Sequence, residues 1–299
     1  MAGGDEGDSP PARTCTAPDF EAAPGRFGLS GELGWPAHTE HQVRRWREGG
    51  ESVVPDLVAE EAPVALMYNG EPHVVMLTTP LDLEDFAVGF SLTEGLVTSV
   101  DEVQSVRVHY RAEGIEVRIR VPEARFQAMA GRERNLTGRT GCGLCGSATL
   151  KQAVRHPPPV TAAIRVRAAD LSEALAAMAE RQGLNRLTGA VHAAGWFVPG
   201  AGLKAVREDV GRHNALDKLL GLLARTRFDR HAGFAVVTSR ASYEMVQKCA
   251  MLGIGFMAAI SAPTGLAIRL AEDTGLTLVG FARGGNCVVY ANPQRFIGR

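Results

Sequence analysis

The chain has 299 residues, of which 45% are hydrophobic, and carries a formal net charge of -1 at pH 7 with a pI near 6.7. This length allows about two domains with apolar cores, and the near-neutral charge excludes a protein whose overall field attracts nucleic acid. The longest apolar run, residues 249–260, is shorter than the roughly 18 residues of a membrane-spanning helix, so we expect neither a nucleic-acid partner nor a membrane segment.

Residues 1–38 are predicted to form a disordered tail, because Gly, Pro and acidic residues dominate and few large apolar side chains are present. The tail lacks the basic start and apolar stretch of a secretory signal, so a cytoplasmic protein is expected. The chain contains 5 cysteines, an odd number that favours reduced thiols over a disulfide framework.

Residues 39–130 predict a small α+β domain. Asn69-Gly70 separates two apolar runs and favours a tight hairpin, and residues 103–121 read as a second hairpin. Between them, residues 82–96 predict one amphipathic helix packed on the small sheet, with Asp82 as its N-cap.

Residues 131–160 form a glycine-rich, basic segment that contains Cys142-Gly-Leu-Cys145 and ends at a proline run, which predicts a mobile loop and linker. Five basic residues stand against one glutamate between positions 131 and 155, a local net charge of 5 - 1 = +4. Neighbouring cations favour the thiolate, which is the nucleophilic form of cysteine.

Residues 161–299 alternate between short apolar strands and amphipathic helices, which predicts an α/β domain with a parallel sheet covered by helices. Ligands of such sheets bind beyond the carboxyl ends of the strands. Three loops fall at that edge: Ser239–Ser242, Ser261–Thr264 and Arg283–Asn286. Their hydroxyls, arginines and glycines suit a phosphate group, although helix caps and turns explain each loop separately.

Residues 207–218 are unusually rich in charged and amide side chains and are predicted to open a helix with an apolar face at Ala215, Leu216, Leu219, Leu220 and Leu223. Arg212 and His213 beside a glycine favour a loop that grips a polar ligand. A solvated helix surface is the alternative.

The paired cysteines admit three interpretations. A structural zinc site needs four ligands, which Cys249, Cys287, His192 or His213 would have to complete. A thioredoxin-like pair should follow a strand, and residues 131–141 show no strand pattern. A nucleophilic thiol on a mobile loop fits the local charge and glycine content best, so no bound metal is expected.

The chain resembles the accessory sulfurtransferases for formate dehydrogenase (FdhD) from about residue 42 to 296. The segments that carry this resemblance are RTGCGLCG, DLEDFAVGFSLTEGL, TGAVHAAG, REDVGRHNALDK, SRASYEMVQKCAMLGI and SAPTGLAIRLAEDTGLTLVGFARGGN, with Tyr290. The resemblance implies a cytidine-deaminase-like C-terminal domain that dimerises. It also implies that loop cysteines carry sulfur as a persulfide from a cysteine desulfurase to the molybdenum bis(guanine dinucleotide) cofactor of formate dehydrogenase.

By this resemblance, Cys142 is the persulfide carrier and Cys145 assists it. The cofactor-binding surface is then expected to include Phe281, Ala282, Arg283, Gly284, Gly285 and Asn286, joined by Ser239, Arg240, Ser261, His192, Arg212 and His213. A zinc-dependent deaminase is disfavoured because Ala194 stands where the catalytic Glu of His-x-Glu would be. A cofactor-binding chaperone without sulfur chemistry remains the alternative.

Overall fold

The computed structural model of the chain describes residues 34–130 and 157–298. From Trp35 onward these residues belong to one compact unit. Most of the predicted tail and of the predicted loop and linker, including Cys142 and Cys145, lies outside the described residues.

The first part of the chain forms a four-stranded sheet, a separate hairpin and two helices. The sheet has the order β4-β3-β6-β5, and both predicted hairpins, β3–β4 and β5–β6, are confirmed as antiparallel pairs. Asn69 and Gly70 both have positive φ angles, as the tight turn requires. The elements are β1 (His38–Arg47), β2 (Gly50–Ala59), β3 (Ala62–Tyr68), β4 (Glu71–Thr78), α1 (Leu83–Thr93), β5 (Ser105–Tyr110), β6 (Ile115–Arg120) and α2 (Glu123–Ala130).

The second part is built on a six-stranded sheet of order β13-β12-β11-β10-β8-β9. Its strands are β8 (His192–Val198), β9 (Gly202–Asp209), β10 (Phe234–Val237), β11 (Phe256–Ala259), β12 (Thr277–Arg283) and β13 (Asn286–Ala291). Only β10, β11 and β12 run parallel, and β8, β9 and β13 are antiparallel to their neighbours. The expectation of a parallel sheet therefore holds for its centre, and hairpin connections on both sides make the sheet mixed.

Helices cover both faces of this sheet. They are α3 (Ala168–Arg181), α4 (Gly183–Thr188), α5 (Arg212–Arg225), α6 (Tyr243–Met251) and α7 (Gly265–Thr274), and the short strands β7 (Val166–Arg167) and β14 (Phe296–Ile297) pair beside them. Side chains of α3 join one apolar cluster with alternate residues of the strands, and those of α5, α6 and α7 join the other. The predicted apolar face of α5 is fully buried.

Helix α1 differs from its prediction, because it is buried on every side rather than amphipathic. Its residues from Leu83 to Thr93 are almost all buried, since α1 lies between the small sheet and α5. Asp82 occupies the N-cap position in a left-handed conformation, and its side chain makes no capping hydrogen bond.

Two glycines let α1 and α5 meet at backbone distance. A Cβ atom added at Gly89 would lie 1.8 Å from the backbone oxygen of Asp217, and one added at Gly221 would lie 1.8 Å from that of Asp85. Any side chain at either position would push the helices apart.

Buried ion pairs flank this helix crossing. Lys218 Nζ lies 2.6 Å from Asp209 Oδ2, and both side chains are completely buried. On the other side, Lys248 Nζ lies 2.9 Å from Asp217 Oδ2 and donates a hydrogen bond to Thr93 Oγ1 at 3.0 Å. Lys218 Nζ also donates to Thr79 O at 2.9 Å, so each lysine joins an ion pair of the second part to a residue of the first. Removing one member of such a buried pair leaves an uncompensated charge.

Replacing Gly89 with Ala should lower the free energy of unfolding by about 1–3 kcal/mol, because the added methyl group has to displace backbone. Urea unfolding followed by circular dichroism measures the effect. Gly265→Ala is the matched control, since its Cβ would meet only Arg269 Nη1 at 3.6 Å. Equal unfolding midpoints for the two variants would contradict the close helix contact.

Candidate functional site at the sheet edge

The three predicted loops lie together beyond the carboxyl ends of β10, β11 and β12. Ala241 N donates to Ala262 O at 3.3 Å, and Thr264 N donates to Ala241 O at 3.0 Å. Phe281 N, on β12 two residues before the third segment, donates to Ser261 O at 3.2 Å. The prediction that these segments share one edge is confirmed. Backbone hydrogen bonds connect the first segment to the second, and the second to the strand that leads into the third.

The third segment is the tip of a β-hairpin rather than a free loop. Gly284 and Gly285 form its turn with φ angles of 56° and 76°, and Arg283 pairs with Asn286 across it. No atom lies within 4 Å of a Cβ added at either glycine, so the tip borders open space. Phe281 adopts a left-handed φ of 50°, and its ring centroid lies 5.9 Å from Arg283 Cζ.

The residues predicted to bind at this edge differ in their exposure to solvent. Arg240, Ser261, Phe281 and Arg283 are exposed. Ser239 is buried, and its hydroxyl group donates to Arg240 O at 3.0 Å. Ala282 is fully buried in the core. Ser239 and Ala282 therefore shape the edge from beneath, while the exposed residues face solvent.

His192 and the start of α5 lie at the same edge. His192 opens β8, and the next residue, Ala193, is held by hydrogen bonds to Thr238 just after β10. His192 also pairs with Asp209 at the end of β9, three residues before α5 begins at Arg212. The sequence placed these groups in separate motifs, and the antiparallel β8–β9 hairpin brings them together.

His213 is bound by a residue that the sequence analysis did not single out. Its Nε2 lies 2.7 Å from Glu244 Oε2 and 3.5 Å from Ser242 Oγ. Glu244 lies in the first turn of α6, immediately after the Ser239–Ser242 loop. Its position directly after a predicted binding loop is the sequence feature from which Glu244 could have been predicted to lie at this edge.

The surroundings of His192 at this edge shift its pKa. Burial lowers the pKa of His192 below its ordinary value, and the nearby Arg212 lowers it further, while Asp209 opposes these effects. The neutral form of His192 is therefore favoured mainly by its burial.

Most other charged residues of the 207–218 segment have structural roles, so the predicted ligand-binding role of the segment rests on Arg212 and His213. Asp209 accepts hydrogen bonds from Thr79 N, Gly211 N and Asn214 Nδ2. Glu208 accepts from Leu184 N and Asn185 N at the start of α4. The segment is rich in charged and amide side chains because these side chains bind β9 and α5 to other elements of the fold.

Arg207 belongs to the same structural set. It lies on β9 and donates two hydrogen bonds to Asp85 Oδ2 of α1, at 3.0 and 2.8 Å. Asp85 is also bound by Arg225 at the end of α5. The predicted helix start therefore contains the end of a strand, and α5 begins only at Arg212.

Neither cysteine within the described residues suits a reactive thiol. Cys249 is completely buried, and burial raises its pKa to about 12. Burial also raises the pKa of Cys287, which is half-buried on β13. A thiol whose pKa is raised is less often in the thiolate form, so neither cysteine is favoured as a nucleophile.

Two broader properties concern the described ranges 34–130 and 157–298. No group of three or more His, Cys, Asp or Glu side chains in them is placed to hold a metal ion. No helix in them combines the length and apolar character needed to cross a membrane.

Comparison with known proteins decides the family. Residues 59–297 match the model of the FdhD/NarQ family. This chain belongs to the FdhD/NarQ family. It is 53% identical over 260 residues to a protein named sulfur carrier protein FdhD from Xanthomonas campestris pv. campestris, covering 87% of this chain and 92% of the relative. A protein of the same name from Cupriavidus necator is 50% identical over 266 residues, covering 89% and 92% respectively.

A solved structure also supports the assignment of this chain to the FdhD/NarQ family. The crystal structure of a formate dehydrogenase accessory protein from Desulfotalea psychrophila matches with a TM-score of 0.72 and 25% sequence identity. The match covers 88% of this chain and 100% of that chain. The mixed α/β fold is thus shared along the whole length of that chain.

Replacing Arg212 with Met should raise the pKa of His192 toward its ordinary value, because one of the charges that lowers it is removed. The pKa should remain below that value, since burial is the larger cause. NMR titration of the imidazole C–H resonances measures the change, and Arg107→Met on the distant small sheet serves as the control. An unchanged or lower pKa in the Arg212 variant would show that Arg212 does not act on His192.

Proposed function

We propose that this protein is a sulfur carrier that receives sulfur from a cysteine desulfurase and delivers it to the molybdenum bis(guanine dinucleotide) cofactor of formate dehydrogenase. Its membership of the FdhD/NarQ family, with relatives named sulfur carrier protein at about half sequence identity, is the observation that carries this proposal. We place this activity in the cytoplasm and expect the protein to act as a homodimer.

Cys142 is the proposed carrier, with Cys145 as its assistant. Its thiolate attacks the terminal sulfur of the donor's cysteine persulfide, so that a new S–S bond forms at Cys142 while the donor's S–S bond breaks. The donor cysteine leaves as a thiolate, and no external oxidant is needed. The high pKa values of Cys249 and Cys287 and the basic surroundings of Cys142 in the sequence support this assignment.

The sheet edge is the proposed binding surface for the cofactor, which is the substrate of the transfer. Arg240 and Arg283 are exposed there and suit the phosphates of its guanine dinucleotides. The open space at Gly284 and Gly285 allows a ligand to approach the backbone. Loading of sulfur and binding of the cofactor therefore use different parts of the chain.

Incubation with a cysteine desulfurase and cysteine should add about 32 Da to the protein, the mass of one sulfur atom. Intact-mass spectrometry should show this adduct on the unmodified protein and on Cys249→Ala and Cys287→Ala, and not on Cys142→Ala. A chaperone without sulfur chemistry would give no adduct on any of these proteins. An adduct that survives loss of Cys142 would assign the carrier elsewhere.

Arg283→Ala should weaken the binding of GDP, a fragment of the cofactor, by roughly tenfold or more, because a charge-assisted hydrogen bond is lost. Isothermal titration calorimetry measures the change. The variant should still form the persulfide at Cys142, since the arginine lies on the sheet edge. Unchanged GDP binding would place the cofactor at another surface.

A further inference from the structure

The outer face of the four-stranded small sheet is apolar over half of its width. The inward-facing residues of its strands, such as Leu66 and Val117, are completely buried in the core. A sheet face that is turned to solvent is ordinarily polar. The outward residues of β3 and β4 are nevertheless all apolar, and Val75 and Leu77 are 59% and 56% exposed. These outward residues are Pro63, Ala65, Met67, Pro72, Val75 and Leu77.

The other two strands of this face are basic. Their outward positions hold Arg107, Arg118 and Arg120 against Glu116, a net charge of 3 - 1 = +2 with histidine neutral. Glu116 is already bound, because Arg118 donates to its Oε2 at 2.7 Å and Arg111 donates to both of its oxygens at 3.2 Å. All three outward arginines are exposed, so the excess positive charge faces solvent.

Two of these arginines are placed against each other. Arg107 on β5 and Arg118 on β6 are direct cross-strand neighbours. Like charges that lie directly opposite destabilise a pair of strands. Such a local conflict is expected where a function requires it. Carboxylates of a partner that lie over the two guanidinium groups would offset the repulsion.

The apolar and basic halves adjoin on one sheet face, so a single partner can cover both. Contiguous exposed apolar residues with charged residues beside them are typical of a protein interaction site. The partner that fits this face has an apolar patch for Val75 and Leu77 and acidic side chains for the arginines. The chemistry of the face therefore favours an acidic protein surface.

This face also lies close in the chain to the proposed carrier thiol. Strand β6 ends at Arg120 and is followed by α2 (Glu123–Ala130), and Cys142 comes 12 residues after Ala130. Twelve residues span at most about 40 Å when fully extended. The thiol therefore cannot lie farther than that from the end of α2. The proposed cofactor surface is at the edge of the large sheet, which leaves this face for the sulfur donor.

We propose that the outer face of the small sheet is the docking surface for the sulfur donor, which binds it through an acidic surface with an apolar patch. This inference rests on the proposed function, because it names the part of the chain that the cysteine desulfurase contacts. The arginines attract the donor, and Val75 and Leu77 are covered by it. They act on the encounter of the two proteins and not on the exchange of sulfur between thiols.

The dependence of sulfur loading on donor concentration tests this docking surface. Intact-mass spectrometry follows persulfide formation from a cysteine desulfurase and cysteine, and gives the donor concentration at which loading is half-maximal. Arg107→Glu should raise this concentration roughly tenfold at low salt, because the substitution replaces attraction of an acidic surface by repulsion. The rate at saturating donor should stay unchanged, and added salt should narrow the difference between the two proteins.

The same variant separates docking from a structural role. The new glutamate lies opposite Arg118 and turns a repulsive pair into an attractive one. The urea midpoint of Arg107→Glu should therefore equal or exceed that of the unmodified protein. Leu77→Gln, which changes an exposed side chain, should also raise the half-maximal donor concentration. Arg165→Glu, an equal charge change at an exposed position in the second part of the chain, is the matched control and should load normally.

Free cysteine persulfide separates docking from reactivity of the thiol. This small molecule needs no docking surface, so it should load Arg107→Glu and the unmodified protein at equal rates. If the variant is also slower with free cysteine persulfide, Arg107 acts on the thiol and the docking surface is wrong. The docking surface is equally wrong if both proteins show the same dependence on the desulfurase.

Two further results distinguish the possible failures. If analytical ultracentrifugation shows that Arg107→Glu changes the oligomeric state, the face is a contact between copies of this chain and not the donor surface. If the unmodified protein gains no sulfur from the desulfurase, the proposed function itself fails. Failure of the docking surface alone leaves loading of the unmodified protein intact.

Discussion

The contact between α1 and α5 is the constraint on which the rest of the structure depends. Gly89 and Gly221 bring the two helix backbones together, and no other residue type fits at either position. This contact buries α1 between the small sheet and the helices that cover the large sheet. The chain from Ala62 to Ala291 therefore contributes to one continuous apolar cluster.

This constraint reaches the candidate site through α5. The helix that packs on α1 through Gly221 also begins at the sheet edge with Arg212 and His213. Asp209 and Asn214 bind the end of β4 through Thr79 N and Leu77 O. Because these buried contacts fix where α5 starts, the first part of the chain helps to position the residues of the candidate site in the second.

The sequence predicted the elements whose patterns are local. The hairpins at Asn69-Gly70 and at residues 103–121, the apolar face of α5 and the strand-helix units from 234 to 283 are confirmed, because turn chemistry and hydrophobic periodicity are properties of short segments. The shared edge of the three loops followed from parallel strands alone. The roles of the edge residues remain predictions.

Features that depend on distant partners were not predicted. Strand β9 was read as a polar helix start, because its residues Arg207, Glu208 and Asp209 bind groups that are far away in the sequence. The α1–α5 contact joins glycines more than a hundred residues apart, and neither glycine carries a local signal. The contact of Glu244 with His213, at 2.7 Å, was missed for the same reason, because the two residues lie on different helices.

Transfer of radioactive sulfur tests the central claim most directly. Cells that lack their own carrier, and that express this protein with formate dehydrogenase, are supplied with labelled cysteine. The account predicts that label passes through this protein into the molybdenum cofactor of formate dehydrogenase, and that enzyme activity appears with it. Equal labelling and activity in cells whose only copy lacks both Cys142 and Cys145 would contradict the sulfur-carrier assignment.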